Sequence, residues 1–181
     1  MQTWIPNLRS WLSAIFLISV MAALQSASGY LWLIISWLIA LLPSLESVLI
    51  VLALLSPIAV IAGLHHWLHR ALDEFFPQSA IAEVATATGI FPGLISWWEG
   101  LYGWLVNYLA LLISSAILSL LLPRADLHHL ALSESVTDWI SLVMQPQPIL
   151  LAMIALRILI AAMFYHFEFA VRQRLISTGN R

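Results

Sequence analysis

Residues 11–42 read WLSAIFLISVMAALQSASGYLWLIISWLIALL, and no charged side chain stands between Arg9 and Glu46. An apolar stretch of this length has one economical use. A helix needs about 20 apolar residues to cross the roughly 30 Å of a bilayer's hydrocarbon core. Inside that core, backbone N–H and C=O groups must find partners within the chain, which a helix provides. The stretch is too long for one ordinary span. It contains a small, polar cluster with turn character, Gln25-Ser26-Ala27-Ser28-Gly29. Three readings compete: two tilted spans with a tight turn, a re-entrant hairpin, or one long tilted helix. The polar cluster favours two spans, residues 8–25 and 29–43. Arg9, the apolar run and the small residues before Gly29 also resemble a cleavable signal segment over residues 1–28.

The rest of the chain repeats the pattern. Pro43 ends the second apolar arm and Ser44 is placed to cap the next helix. Further spans are expected over 45–68, with Pro57 inside, and over 101–122 and 149–171. Residues 78–99 hold Glu83, Glu99, Pro92 and Gly93 and read as an interfacial or re-entrant segment. Residues 133–144 read as a surface helix. The expected fold is all-α: a polytopic transmembrane helix bundle of about five spans, within a range of four to six, plus short interfacial helices. It forms a single membrane domain over residues 1–181.

Composition agrees. Hydrophobic residues make up 62% and charged residues 9% of the 181, where soluble domains are near half apolar and about a quarter charged. A soluble fold of this size has too much surface to hide that much apolar side chain. Nine tryptophans suit the membrane–water interface, which accepts an apolar ring and a polar N–H together. The lipid bilayer is therefore the first partner. Cysteine is absent, which removes disulfides and thiolate chemistry. All seven basic residues are arginine, without a basic run, and the net charge is −2, so nucleic acid is not an expected partner.

Arg157 is the sharpest single residue. By helix rise it lies about 13 Å from Pro148 and about 18 Å from Phe169, near the bilayer midplane. An arginine there must face protein, water or an anion. Asn107 and Glu46, on other helices, are the residues able to approach it. Arg157, Ala161, Phe164 and Glu168 share one helical stripe, and Glu168 and Arg172 stand at i, i+4. His65, His69 and Asp73 recur every four residues, a spacing that places two imidazoles and a carboxylate on one face, as zinc or iron ligation needs. The pattern lacks the glutamate of His-Glu-x-x-His. His65 or His166, with aromatic neighbours, also suits an axial ligand to a porphyrin-type pigment. The plainer reading of these histidines is an interfacial belt.

Small residues four apart, Ala59 with Gly63, Ala110 with Ser114 and Ser115 with Ser119, mark faces where helices come close in lipid. Gly100 and Gly103 read as loosening the start of the fourth span. Nucleophile motifs and phosphate-binding loops are missing from the sequence, and the serines of the fourth span lack a base. The expectation is thus not an enzyme. It is a non-catalytic integral membrane subunit or assembly factor of a larger complex, bioenergetic or photosynthetic membranes included, with other membrane subunits as partners. The alternative is a small transporter or channel component with Arg157 lining the path. A metal- or pigment-binding protein using His65 and His69 is the third. The arginines place the C-terminus on the cytoplasmic side of a bacterial inner (plasma) or energy-transducing membrane.

Overall fold

A computed structural model describes residues 4–75, 94–121 and 148–179. Four helices carry them: α1 (Leu8–Leu41), α2 (Glu46–Phe75), α3 (Leu94–Leu121) and α4 (Pro148–Gly179), with a 3-10 turn at Pro43–Leu45 between the first two. All four are long and apolar enough to cross a membrane. The molecule is an all-helical, multi-pass membrane protein.

The favoured division of residues 8–41 into two spans is not what forms. α1 runs unbroken for 34 residues, about 51 Å by helix rise. The reason lies in the cluster read as a turn. Ser26 Oγ donates to the Ala22 carbonyl at 3.0 Å, and Ser28 Oγ to the Gln25 carbonyl at 2.7 Å. A serine hydroxyl that bonds back to its own helix is satisfied without leaving it. The described glycines include none at positive φ, so Gly29 does not turn the chain. At the start of α1, Asn7 Oδ1 accepts from Ser10 N and Ser10 Oγ, both at 2.8 Å, as an N-cap should. Ser44, expected as the cap of α2, sits inside the 3-10 turn, which has no side-chain cap.

Two further boundaries move. α3 starts at Leu94, so residues 94–99, read as part of an interfacial segment, belong to a spanning helix. α2 extends to Phe75 and α4 to Gly179. The remainder of the interfacial segment and the surface helix over 133–144 lie outside the described residues. Pro57 stands within α2 without ending it. It has no N–H for the Ala53 carbonyl, and the Ser56 hydroxyl donates to that carbonyl at 2.8 Å in its place.

The helices form a ring in chain order: α1 on α2, α2 on α3, α3 on α4, and α4 back on α1. Neighbours run antiparallel. One buried cluster joins all four, built from Ala14 and Leu17, Ile61, Val106 and Ala110, and Ala161, Ala162 and Tyr165. A second, Leu118 with Met153, joins α3 and α4 alone. In lipid the helices are held by close packing more than by a hydrophobic force. The tightest approach is at Gly100, where an added Cβ would stand 2.7 Å from the Ala62 Cβ and 2.7 Å from the Ile58 carbonyl oxygen. Gly103 faces Ile61, the Tyr165 hydroxyl and Leu17, each at 3.1–3.3 Å from such a Cβ. These glycines bring helices together and do not loosen anything. The contact face of α2 carries Ile58 and Ala62, not the expected Ala59–Gly63 pair: Ala59 is exposed and Gly63 has open space around it. Ala110 and Ser114 are both fully buried, whereas Ser119 is exposed.

The two glycine environments make opposite expectations. Gly100→Ala should cost about 1–3 kcal/mol, the range for overpacking, and lower the thermal unfolding midpoint in detergent by several degrees. Gly63→Ala should leave that midpoint unchanged or raise it, because the new methyl meets nothing and alanine is the better helix former.

Candidate functional site: buried polar side chains inside the bundle

The inward stripe of α3 is Gly100, Gly103, Asn107, Ala110 and Ser114, a helical i, i+3, i+4 pattern. The stripe opposite it on α4 is Met153, Arg157, Ala161, Tyr165, Glu168 and Arg172. Facing stripes bring Arg157 to Asn107. Its Nη2 donates to Asn107 Oδ1 at 3.0 Å, and the two residues are each only 4% exposed. The sequence-level pairing of these two positions is therefore a contact within the chain. Glu46, the other residue able to approach, lies exposed at the start of α2.

A second polar layer closes one end of the bundle. Arg172 pairs with Glu168 one turn before it on α4 and with Glu99 on α3, where Nη1 stands 3.3 Å from Oε1. Arg9 on α1 acts electrostatically on Glu99. Both Arg9 and Glu99 are buried. α2 joins the same end through histidines. His66 Nδ1 lies 3.2 Å from Ser96 Oγ. His65, fully buried, has its Nε2 3.2 Å from the Tyr165 hydroxyl, with the Tyr165 ring stacked on it and Phe16 edge-on. Tyr102 donates from its hydroxyl to the Phe164 carbonyl at 2.8 Å. Thus every helix sends at least one buried polar side chain into this layer.

Between the two layers the interior is apolar. Arg157 and Tyr165 are about 12 Å apart along α4, and Ala161, Ala162, Val106, Ala110, Leu17 and Ile61 fill that interval with almost no exposure. Buried apolar side chains thus stand between the Arg157–Asn107 pair and the end layer.

Of the residues singled out as ligands, His65 and His166 are the two whose side chains are described, and they do not share a site. His65 sits in the core, where an incoming metal or porphyrin at Nε2 would have to displace the Tyr165 hydroxyl. The side chains of His69 and Asp73 lie outside the described residues. His166 is half-buried and points about 100° away from Tyr165 around α4. Among the described residues no three His, Asp or Glu side chains gather as a metal site would need. The Ser114 hydroxyl, buried about two turns along α3 from Asn107, donates to the Leu111 carbonyl at 3.0 Å and so serves its own helix.

Glu99, Arg9, Tyr102 and Tyr165 were not among the residues that stood out in the sequence. Glu99 was hidden by the late start assigned to α3. Once that helix begins at Leu94, Glu99 falls one turn before Gly103, on the inward side. No family model, curated protein or solved structure matches the chain.

The Arg157–Asn107 bond has a direct test. In a double-mutant cycle with Arg157→Gln and Asn107→Leu, unfolding in micelles should show coupling of about 1–2 kcal/mol, as for a buried bond to a charged group within a membrane protein. Additive effects would mean that the pair is not made.

Proposed function

We propose that the protein is a non-catalytic membrane subunit or assembly factor that works against the spanning helices of a larger membrane partner. The observation that carries this reading is the outer part of α1 and the first part of α2. Beyond Ala22, Ile35 is the one buried residue of α1. Before Ile61, the buried apolar residue of α2 is Ala53. Between them Tyr30, Trp32, Leu33, Ile34, Trp37, Leu52 and Leu55 all point outward, Tyr30 at 73% and Leu33 at 68% exposure. A helix pair that packs only on itself leaves most of its surface to its surroundings. Its tyrosine and tryptophans are the residues that interfaces favour. Arg157, in contrast, no longer argues for a partner, because Asn107 of the same chain receives it.

The same reading orients the chain. With four spans, Arg9, Arg70, Arg172 and Arg174 fall at one end of the bundle. The arginine-rich end belongs on the cytoplasmic side, in a bacterial inner membrane or an energy-transducing one. A five-span arrangement would have put Arg9 on the opposite side.

A photoreactive amino acid at Leu33 or Trp37 tests the partner. Expected is a specific adduct with one membrane protein that also co-migrates in stoichiometric amount after gentle detergent extraction. The same group at Leu112, exposed on α3, should give lipid adducts only. A protein that travels alone and cross-links only to lipid at all three positions removes the proposal.

One observation favours a second reading, a small transporter or channel component: a buried arginine near the midplane is where ion and substrate paths run. In reconstituted vesicles that reading expects Arg157→Gln to reduce flux to the background of empty vesicles. A wild-type protein that moves no ion under any gradient counts against it.

A further inference from the structure

We propose that residues 26–57 form an arm that swings on two hinges, residues 25–29 of α1 and Ser56–Pro57 of α2, while the rest of the bundle stays clasped at the end bearing Arg9 and Arg172. This stands apart from the partner reading, since an arm can swing whether lipid or protein lies against it.

Burial locates the moving part. The four-helix core takes from α1 a run between Arg9 and Ala22, and from α2 a run that starts at Ile61. Contacts between helices hold that portion. Arg172 reaches Glu99, His66 meets Ser96, His65 meets Tyr165, and Tyr102 bonds to the backbone of α4. At the far end α3 and α4 remain joined by Leu118 and Met153. The α1–α2 pair keeps only Ile35 and Ala53 buried there.

Helix length points the same way. Leu17 and Ile61 sit at one level, since both face Gly103. From Leu17 to Leu41 the rise is about 36 Å, and from Ile61 back to Glu46 about 22 Å. The 3-10 turn adds only about 6 Å. To meet the turn, α1 must lean relative to α2 as it leaves the core.

The hinges are chemically weak points placed where burial stops. Pro57 removes one backbone hydrogen bond from α2, and the Ser56 hydroxyl takes the freed Ala53 carbonyl. In α1, two serines bond back to carbonyls in the same short stretch, a pattern that bends helices. Gly29 adds the poorest helix former short of proline, with nothing within 4 Å of its missing Cβ. The hydroxyls travel with the helix they serve, so bending leaves no carbonyl stranded in lipid. That is the condition for a hinge inside a membrane.

Distances between paired spin labels in lipid nanodiscs test the arm. The chain has no cysteine, so introduced ones are the only label sites. The arm pair is Ser36→Cys with Ser119→Cys, and the clasped-end pair is Leu8→Cys with Gln173→Cys, all at exposed positions. The arm pair should give a distance distribution roughly twofold wider than the clasped pair, as hinge motion of one element against a fixed one requires. Pro57→Ala should narrow the arm distribution and leave the other unchanged. An arm pair as narrow as the clasped pair overturns the proposal, and so does a distribution that Pro57→Ala leaves as broad as before. The wild-type comparison decides by itself if Pro57→Ala does not fold.

Discussion

The backbone of α3 touches α2 at Gly100, where the space for a single methyl group is already taken by Ala62 and the Ile58 carbonyl. Much else follows from that approach. It sets α3 close enough for Ser96 to reach His66 and for Gly103 to admit Ile61 and Tyr165. Tyr165 in turn covers His65 and stacks on it. Lipid tails are as apolar as leucine, so burial alone does not assemble spanning helices, and small residues that allow contact must do so. The core follows the same logic, with Ala14, Ala62, Ala110, Ala161 and Ala162 at or near full burial.

Polar side chains are handled in two ways. Serines on single helices, such as Ser19, Ser36, Ser114 and Ser119, return their hydroxyls to their own backbone. Charged and aromatic polar groups instead join helices to one another, in the end layer around Glu99 and Arg172 and in the deeper Arg157–Asn107 pair. The first device keeps a helix intact through polar sequence. The second gives a bundle with little hydrophobic drive a defined register, because a misaligned helix would strand a charge in an apolar medium.

These two devices also explain what could be read from the residues and what could not. The membrane class, the helical fold and three of the spans were legible, because apolar runs of that length have no other stable outlet. The inward position of Asn107 was within reach from its spacing to Gly103 and Ala110. The continuity of α1 was not: Gln25 to Gly29 has the composition of a turn, and only the back-bonding of Ser26 and Ser28 shows that the helix can pass through it. Glu99 was missed for a related reason. It stands close to Pro92 and Gly93, which read as an interruption, although the helix has already begun at Leu94.

Sequence alone determined that this chain lives in a bilayer as helices, since hydropathy and the cost of an unbonded backbone act locally, residue by residue. It also determined that Arg157 would need a polar neighbour. Tertiary structure decided which neighbour, which glycines are contacts, and which apolar stretches remain uncovered. Those outcomes depend on how four helices tilt and rotate against one another. In lipid, that choice rests on steric fit and a few hydrogen bonds between residues as far apart in the chain as Asn107 and Arg157, or His65 and Tyr165.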